Sequence, residues 1–335
     1  MGLYFANVAD ELVGDALAGF ARAHAGDVRW DERDGYVRAL KPAPTRRVGL
    51  VSGGGSGHEP LHLGYVGTGM LDAACPGRVF ASPHNRQIFA ASRAVAGEDG
   101  VLHVVKNYTG DKINFGIAAE RLAREGIPCG RVLVDDDVAT ESAEIATGRR
   151  GTGATVLVEK ILGAAADTGM GLSDLVALGT DVVGRCRSLA VASAAHTSPA
   201  TGQAAFDLPA GAIEYGVGIH GERARRTLQE RSLRDLAEDM VAALADSLRL
   251  DARAQVVLLV NGLGGITRLE LYAVLNEVTR LLDKRGASTV RTLVGDFVTA
   301  LDMRGFSLTL MAADDATLAY YDAPADTPAW CGRAG

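Results

Sequence analysis

Two histidines stand in runs of glycine. His58 closes Gly53-Gly54-Gly55-Ser56-Gly57-His58, with Glu59 and Pro60 after it, and His220 lies in Gly216-Val217-Gly218-Ile219-His220-Gly221-Glu222. A neutral imidazole carries a lone pair that can attack an electrophile or move a proton near neutral pH. Flanking glycines remove the side chains that would enclose it and let backbone approach a ligand. A third group, Lys106-Asn107-Tyr108-Thr109-Gly110-Asp111, follows the apolar run Val101 to Val105. A lysine and a carboxylate thus sit at a strand's C-terminal end, where ligands bind in open α/β sheets. Taken alone, such a pair is more often simply solvated.

Other stretches carry weaker signals. The first glycine run lacks dinucleotide spacing, because His58 occupies the place of the last glycine, and it lacks the Gly-Lys-Ser/Thr ending of a triphosphate loop. Ser82-Pro83-His84-Asn85 opens a helix, so Ser82 and the amides after Pro83 either touch a ligand or cap that helix. Asp135, Asp136 and Asp137 end an apolar strand and read as a solvated strand end in preference to a metal site. Arg149 to Gly153 reads as a flexible basic loop.

The elements that must position these groups follow from periodicity. Val8 to His24, Ile113 to Glu125, Val156 to Thr168, Leu233 to Leu248 and Leu269 to Leu282 have helical spacing. Val48 to Val51, Arg78 to Ala81, Val101 to Val105, Arg131 to Val138, Ser188 to Ala195, Val256 to Val260, Thr289 to Phe297 and Ser307 to Met311 read as strands. Gly53 to Gly57 are expected to turn sharply, and Pro60 to sit in the first turn of a helix. The alternation implies an α/β protein with mainly parallel or mixed sheets flanked by helices. A change of texture near Gly184 divides the chain into two α/β domains, residues 1–184 and 185–335.

Composition narrows the class. With 335 residues there is room for about two domains. A net charge of −7 without a Lys/Arg block argues against a sequence-independent grip on nucleic acid. Cys75, Cys129, Cys186 and Cys331 form no C-x-x-C pair, so neither zinc ribbon nor disulfide framework is indicated, and a cytoplasmic setting fits. No apolar run approaches a membrane span, and the N-terminus lacks the basic start of a signal peptide.

Five stretches occur in an order that resembles the sugar-binding K subunit, or K domain, of dihydroxyacetone kinases. They are GGGSGHEP from Gly53, KNYTGD from Lys106, GVGIHGE from Gly216, VNGLGG from Val260 and LDMRGFSLTL from Leu301. The resemblance covers nearly the whole chain. It implies that His220 adds to the ketone carbonyl and holds the sugar as a hemiaminal, and that His58 and Asp111 act on protons near its hydroxyls. Asp111 would activate the terminal hydroxyl, with Gly55, Ser56, Gly57 and Lys106 lining the pocket, to which the Ser82 turn adds Ser82 as a further ligand-binding candidate. A reversible covalent bond orients a three-carbon ketose better than its few hydrogen bonds can.

The chain shows no Walker loop and no protein-kinase signature. The resemblance therefore implies no cofactor or metal on this chain, and ADP or ATP with magnesium on a helical L-type partner subunit. That partner is recharged by a phosphotransferase-system protein or by nucleotide exchange. A homodimer is implied on the same basis. Two departures, Arg223-Ala224 where the family often has Pro-Gly and the bulky Ser82 to Arg86 run, leave dihydroxyacetone and four-carbon ketoses such as erythrulose both open as substrates. A noncatalytic ketose sensor is the competing reading.

Overall fold

The computed structural model describes residues 4–141, 148–223 and 226–332. In chain order its helices and strands are α1 (Leu12–Ala23), β1 (Val28–Asp31), β2 (Tyr36–Ala39), β3 (Gly49–Ser56), β4 (Ala73–Val79), α2 (Asn85–Val95), β5 (Val101–Lys106), α3 (Thr109–Arg124), β6 (Cys129–Val134), α4 (Ala154–Asp167) and α5 (Leu172–Gly184). There follow β7 (Cys186–Ala194), β8 (Ala212–Tyr215), β9 (Arg226–Gln229), α6 (Leu233–Leu248), β10 (Gln255–Gly262), α7 (Arg268–Lys284), β11 (Ser288–Gly295), β12 (Arg304–Ala313), α8 (Asp315–Tyr321), β13 (Ala325–Thr327) and β14 (Trp330–Gly332).

Two six-stranded sheets carry the architecture. The first runs β1-β2-β4-β3-β5-β6, and β4, β3, β5 and β6 pair in parallel. The second runs β11-β10-β12-β7-β8-β9 and is mostly antiparallel, with β10 and β11 as its parallel pair. Both sheets are mixed. The mixed alternative of the expected fold class is thus the one found, and in the second sheet β12 returns between β10 and β7, antiparallel to both.

Helix α4 joins the halves. Its residues Ala154 to Ala166 are all buried, as expected of a helix packed on every side, and they include two charged groups, Glu159 and Lys160. Asp136 fixes the start of this helix by accepting from the Thr152 and Ala154 amides and from the hydroxyls of Thr152 and Ser188. Ser188 belongs to β7, so one buried carboxylate ties the end of the first sheet to the second. Beyond β12 the chain crosses back: α8 packs against α4, and the Ala329 amide donates to Gly64 O at 2.8 Å.

Several local expectations are corrected. Gly53, Gly54 and Gly55 continue β3 instead of turning, because β4 and the Phe80 backbone approach too closely for any side chain; a Cβ on Gly55 would lie 2.7 Å from Phe80 Cα. The turn comes at Gly57, whose φ of +101° favours glycine. No α-helix starts at Pro60; a single 3-10 turn, Leu63–Tyr65, follows it. His84 caps α2, with its side chain accepting from the Arg86 amide, so Ser82 lies outside the cap. The strand before the three aspartates stops at Val134.

Candidate functional site

The site lies where the C-terminal ends of β3 and β5 meet the loop after β8. Gly57 and Leu301 are joined across the halves by a 2.8 Å backbone bond, and His58 Nδ1 lies 2.7 Å from Thr299 O. A carbonyl only accepts, so Nδ1 carries the proton and Nε2 keeps its lone pair. That Nε2 is buried without a hydrogen-bond partner among the described residues, as befits an atom reserved for a ligand. Burial, and then the neighbouring His220 and Lys106, hold the His58 pKa well below its usual value, so the ring is neutral.

His220 arrives from the other half. Its Nδ1 lies 2.9 Å from Glu222 Oε1, while its backbone amide donates to Oε2 at 3.1 Å. Burial alone would raise Glu222, but the hydrogen bond from His220, the charge that ring carries when protonated and then the charge of Arg150 outweigh it and hold Glu222 down to about 2, so the carboxylate is ionised and accepts from Nδ1–H. The Nε2 lone pair of His220 is thereby left free for chemistry. Arg150 donates to Gly216 O at 2.7 Å and to Asp137, with Glu222 4.0 Å away. The loop expected to be flexible and basic is thus anchored, since both its arginines find carboxylates; Arg149 pairs with Asp135 and Glu141.

The glycines beside His220 serve a different purpose from open access. A Cβ on Gly218 would lie 2.0 Å from Glu222 Oε2, and one on Gly221 2.6 Å from His196 Cε1. They admit the groups that brace the loop. His220 itself is surrounded by rings: Tyr108 at 4.5 Å, His58 at 4.9 Å and Phe80 at 5.5 Å between centroids.

Lys106 and Asp111 complete the floor. Asp111 lies in the first turn of α3, one turn earlier than periodicity placed the helix, and is buried. Its Oδ2 is 3.8 Å from Lys106 Nζ and its Oδ1 has no hydrogen-bond partner among the described residues. Lys106 Nζ donates to Gly53 O at 3.2 Å and to His62 Nε2 at 2.7 Å. Gly54 makes this possible, because a Cβ there would stand 2.2 Å from Nζ.

Of the expected lining residues, Gly55 and Gly57 border Phe80, and Ser82 Oγ lies against Gly110 at the start of α3. Ser56 donates its hydroxyl to Gly77 O at 2.7 Å, which ties β3 to β4. In the first of the two departures, Arg223 pairs with buried Glu214 at 3.0 Å, and Ala224 lies outside the described residues. Sequence reasoning passed over Phe80, Tyr108, His196 and Glu222. Tyr108 stands inside a motif already singled out, and Glu222 two residues from His220; Phe80 and His196 gave no comparable signal. Phe80 has a left-handed φ of 55°, and its ring reaches His58, His220 and His196. Among the described residues no group of three or more His, Cys, Asp or Glu is arranged to hold a metal ion.

Comparison with known proteins places the whole chain in a family. A family model described as the Dak1 domain matches residues 18–329. The dihydroxyacetone-binding subunit DhaK of a PTS-dependent dihydroxyacetone kinase from Listeria innocua is 42% identical over 325 residues, 97% of this chain and 98% of that one. The corresponding subunit of the PEP-dependent kinase of Escherichia coli is 40% identical, over 96% of this chain and 97% of its own length. Among solved structures, the dihydroxyacetone kinase operon co-activator Dha-DhaQ superposes with a TM-score of 0.90 at 32% identity, over 95% of this chain and 98% of that one. The dihydroxyacetone kinase of C. freundii superposes with a TM-score of 0.87 at 32% identity, covering 99% of this chain and 61% of that longer one. The chain belongs to the Dak1 domain family.

Proposed function

We propose that this chain is the ketose-binding subunit of a dihydroxyacetone kinase, a phosphotransferase with an alcohol acceptor. The observation that carries the proposal is the pairing of His220, whose Nδ1–H is held by an ionised Glu222, with buried polar atoms that lack partners on His58 and Asp111. Addition of His220 Nε2 to the ketone carbon forms a C–N bond as the C=O π bond opens; the Nδ1 proton leaves through Glu222 and the former carbonyl oxygen takes up one proton from solvent, so that an N–H is exchanged for the O–H of a hemiaminal. His58 Nε2 accepts from a sugar hydroxyl and Lys106 donates to another. Asp111 takes the proton of the terminal hydroxyl as it attacks phosphorus.

The nucleotide, ADP or ATP with magnesium, is expected on an L-type partner subunit. The phosphotransferase-system supply, the homodimer, the cytoplasmic setting and the division into domains 1–184 and 185–335 belong to the same proposal. Two separate sheets support the division, four free cysteines support the compartment, and no described helix is long and apolar enough to cross a membrane.

The likeness to an operon co-activator favours one alternative, a ketose sensor that signals through a protein partner. A relative described as a putative 3,4-dihydroxy-2-butanone kinase, 42% identical over 85% of this chain, keeps a four-carbon ketose open. Thermal unfolding of the purified chain with dihydroxyacetone and with erythrulose tests the site. A ligand at a hundred times its Kd stabilises the native state by about 2.7 kcal/mol. The larger shift identifies the preferred ketose, and no shift with either refutes the proposal. Phosphoryl transfer on adding an L-type subunit then separates kinase from sensor.

A further inference from the structure

His62 and Glu159 have no part in the reaction described above, yet both are buried and both lie behind its lysine. His62 Nε2 is 2.7 Å from Lys106 Nζ, and His62 Nδ1 is 2.6 Å from Glu159 Oε1 and 2.9 Å from Ser52 Oγ. Ser52 spends its own proton on Val104 O at 2.8 Å, so it can only accept from the ring. Glu159 Oε2 has no hydrogen-bond partner among the described residues. The chain Lys106–His62–Glu159 is therefore a continuous file from the reaction floor into the middle of α4.

We propose that Lys106 and Glu159 share one proton across the two ring nitrogens of His62, so that the charge on Lys106 follows the protonation of Asp111. In one form the ammonium donates to Nε2, and Nδ1–H donates to an ionised Glu159. In the other, one Nζ proton has moved to Nε2 and the Nδ1 proton to Oε1 of Glu159, leaving a neutral amine, a neutral ring and a neutral acid. The exchange is internal: two N–H bonds break, one N–H and one O–H form, and no proton enters or leaves.

The surroundings favour such sharing. Burial raises the Glu159 pKa to about 8 and lowers that of Lys106, bringing the two groups together from opposite sides. Burial and the Lys106 charge keep His62 neutral, so its contact with Glu159 is an uncharged N–H against a carboxylate. Lys106 faces Asp111 from α3, His58 and His62 from the segment after β3, and Glu159 from α4. Glu159 further faces Ser52 and Tyr65, whose hydroxyl donates to Phe297 O at 3.0 Å. Asp111 is thus the ammonium's near carboxylate and Glu159 its far one. When Asp111 takes the sugar's proton, the ammonium loses its near counter-charge in a dry site, and the neutral form of the file gains.

This inference rests on Asp111 being the base, and its test does not depend on turnover. Glu159→Gln keeps the shape of the side chain and removes its capacity to bind the proton, which makes Glu159 a positioning residue that acts through His62. Lysine labelled with 13C, with the Lys106 Cε resonance identified by its loss in Lys106→Arg, reports the lysine's charge across a pH titration of the whole chain. In the wild type, Lys106 Cε and labelled Glu159 Cδ are expected to move in one coupled transition. In Glu159→Gln the lysine should lose its proton about one pH unit lower, and the alkaline limb of phosphoryl transfer should move with it. Asp111→Asn should lower the Lys106 transition in the same way.

An unchanged Lys106 titration in Glu159→Gln, whatever happens to thermal stability, overturns the sharing and leaves Glu159 as packing. An unchanged titration in Asp111→Asn overturns the link to the base. Coupled titration in a chain that transfers no phosphoryl group to a ketose would refute the kinase reading and leave the shared proton standing.

Discussion

The rings of His58 and His220 meet edge to face with centroids 4.9 Å apart, and Phe80 lies against both. The two imidazoles come from different halves of the chain, and each commits its Nδ1 proton to a fixed acceptor, Thr299 O for one and Glu222 for the other. Their Nε2 atoms are the two lone pairs left over. One is sealed at the base of the site; the other belongs to a side chain about one-fifth exposed. That asymmetry suits a reachable nucleophile beside an acceptor.

His220→Ala should abolish the covalent ketose complex and leave the fold intact, because His220 belongs to a loop and contributes little to either core. Ketose-soaked crystals provide the check. Continuous density between His220 Nε2 and the ketone carbon is expected in the wild type and none in the variant. A fully occupied ketose at van der Waals distance from the wild-type ring would refute the covalent step.

Asp111→Asn should retain ketose binding and lose roughly 10²- to 10⁴-fold in phosphoryl transfer with an L-type subunit, the usual range for removal of a general base. The substitution keeps the side chain's shape in a buried position. Binding measured by calorimetry alongside turnover separates the two effects, and near-normal turnover would remove Asp111 from the mechanism.

The five motifs were legible because glycine, histidine and charge in short runs are conspicuous without a structure, and the helices because their apolar spacing is regular. Leu233–Leu248 falls where periodicity put it. The glycine run was misread for a physical reason: glycine serves a tight turn and a crowded strand equally, and only the position of Phe80 and Lys106 shows that Gly54 and Gly55 are crowding glycines. Phe80, His196 and the file from Lys106 to Glu159 were invisible because their contacts join residues far apart in the chain. Glu159 looked like an ordinary polar position of a helix, and its burial is decided by what α8 and both sheets place around α4.

Glu222→Gln should weaken ketose binding about ten- to a hundredfold, the equivalent of about 1.5–3 kcal/mol for a hydrogen bond to a charged group. Glutamine can present its amide N–H to Nδ1 and so favour the wrong tautomer, with the proton on the atom that must attack. Isotope-labelled His220 observed by nitrogen NMR would show the Nδ1–H tautomer in the wild type and its loss in the variant. Equal affinities and equal tautomer populations would show that Glu222 is not needed to orient the ring.

His103 ties stability to pH: it is 1% exposed between Ser92 Oγ, 2.8 Å from Nε2, and Cys129 Sγ, 3.4 Å from Nδ1. Burial, with the nearby Arg131 adding to it, lowers its pKa to about 3. A histidine whose folded value lies below its unfolded value, ~6.5, is charged more readily in the unfolded chain. Its neutral burial therefore costs nothing at pH 7, and stability is lost as pH falls below about 6.5. Between there and pH 5 the loss amounts to roughly 2 kcal/mol, at 1.36 kcal/mol per unit. His103→Gln keeps an N–H to donate to Ser92 and has nothing to protonate. The gap in unfolding free energy between wild type and variant should accordingly shrink by about 2 kcal/mol from pH 7 to pH 5 in denaturant titrations. The lowered values of His58 and His62 act in both proteins and cancel in the difference. A gap that stays constant over that range would mean that His103 is charged as easily inside the fold as outside it.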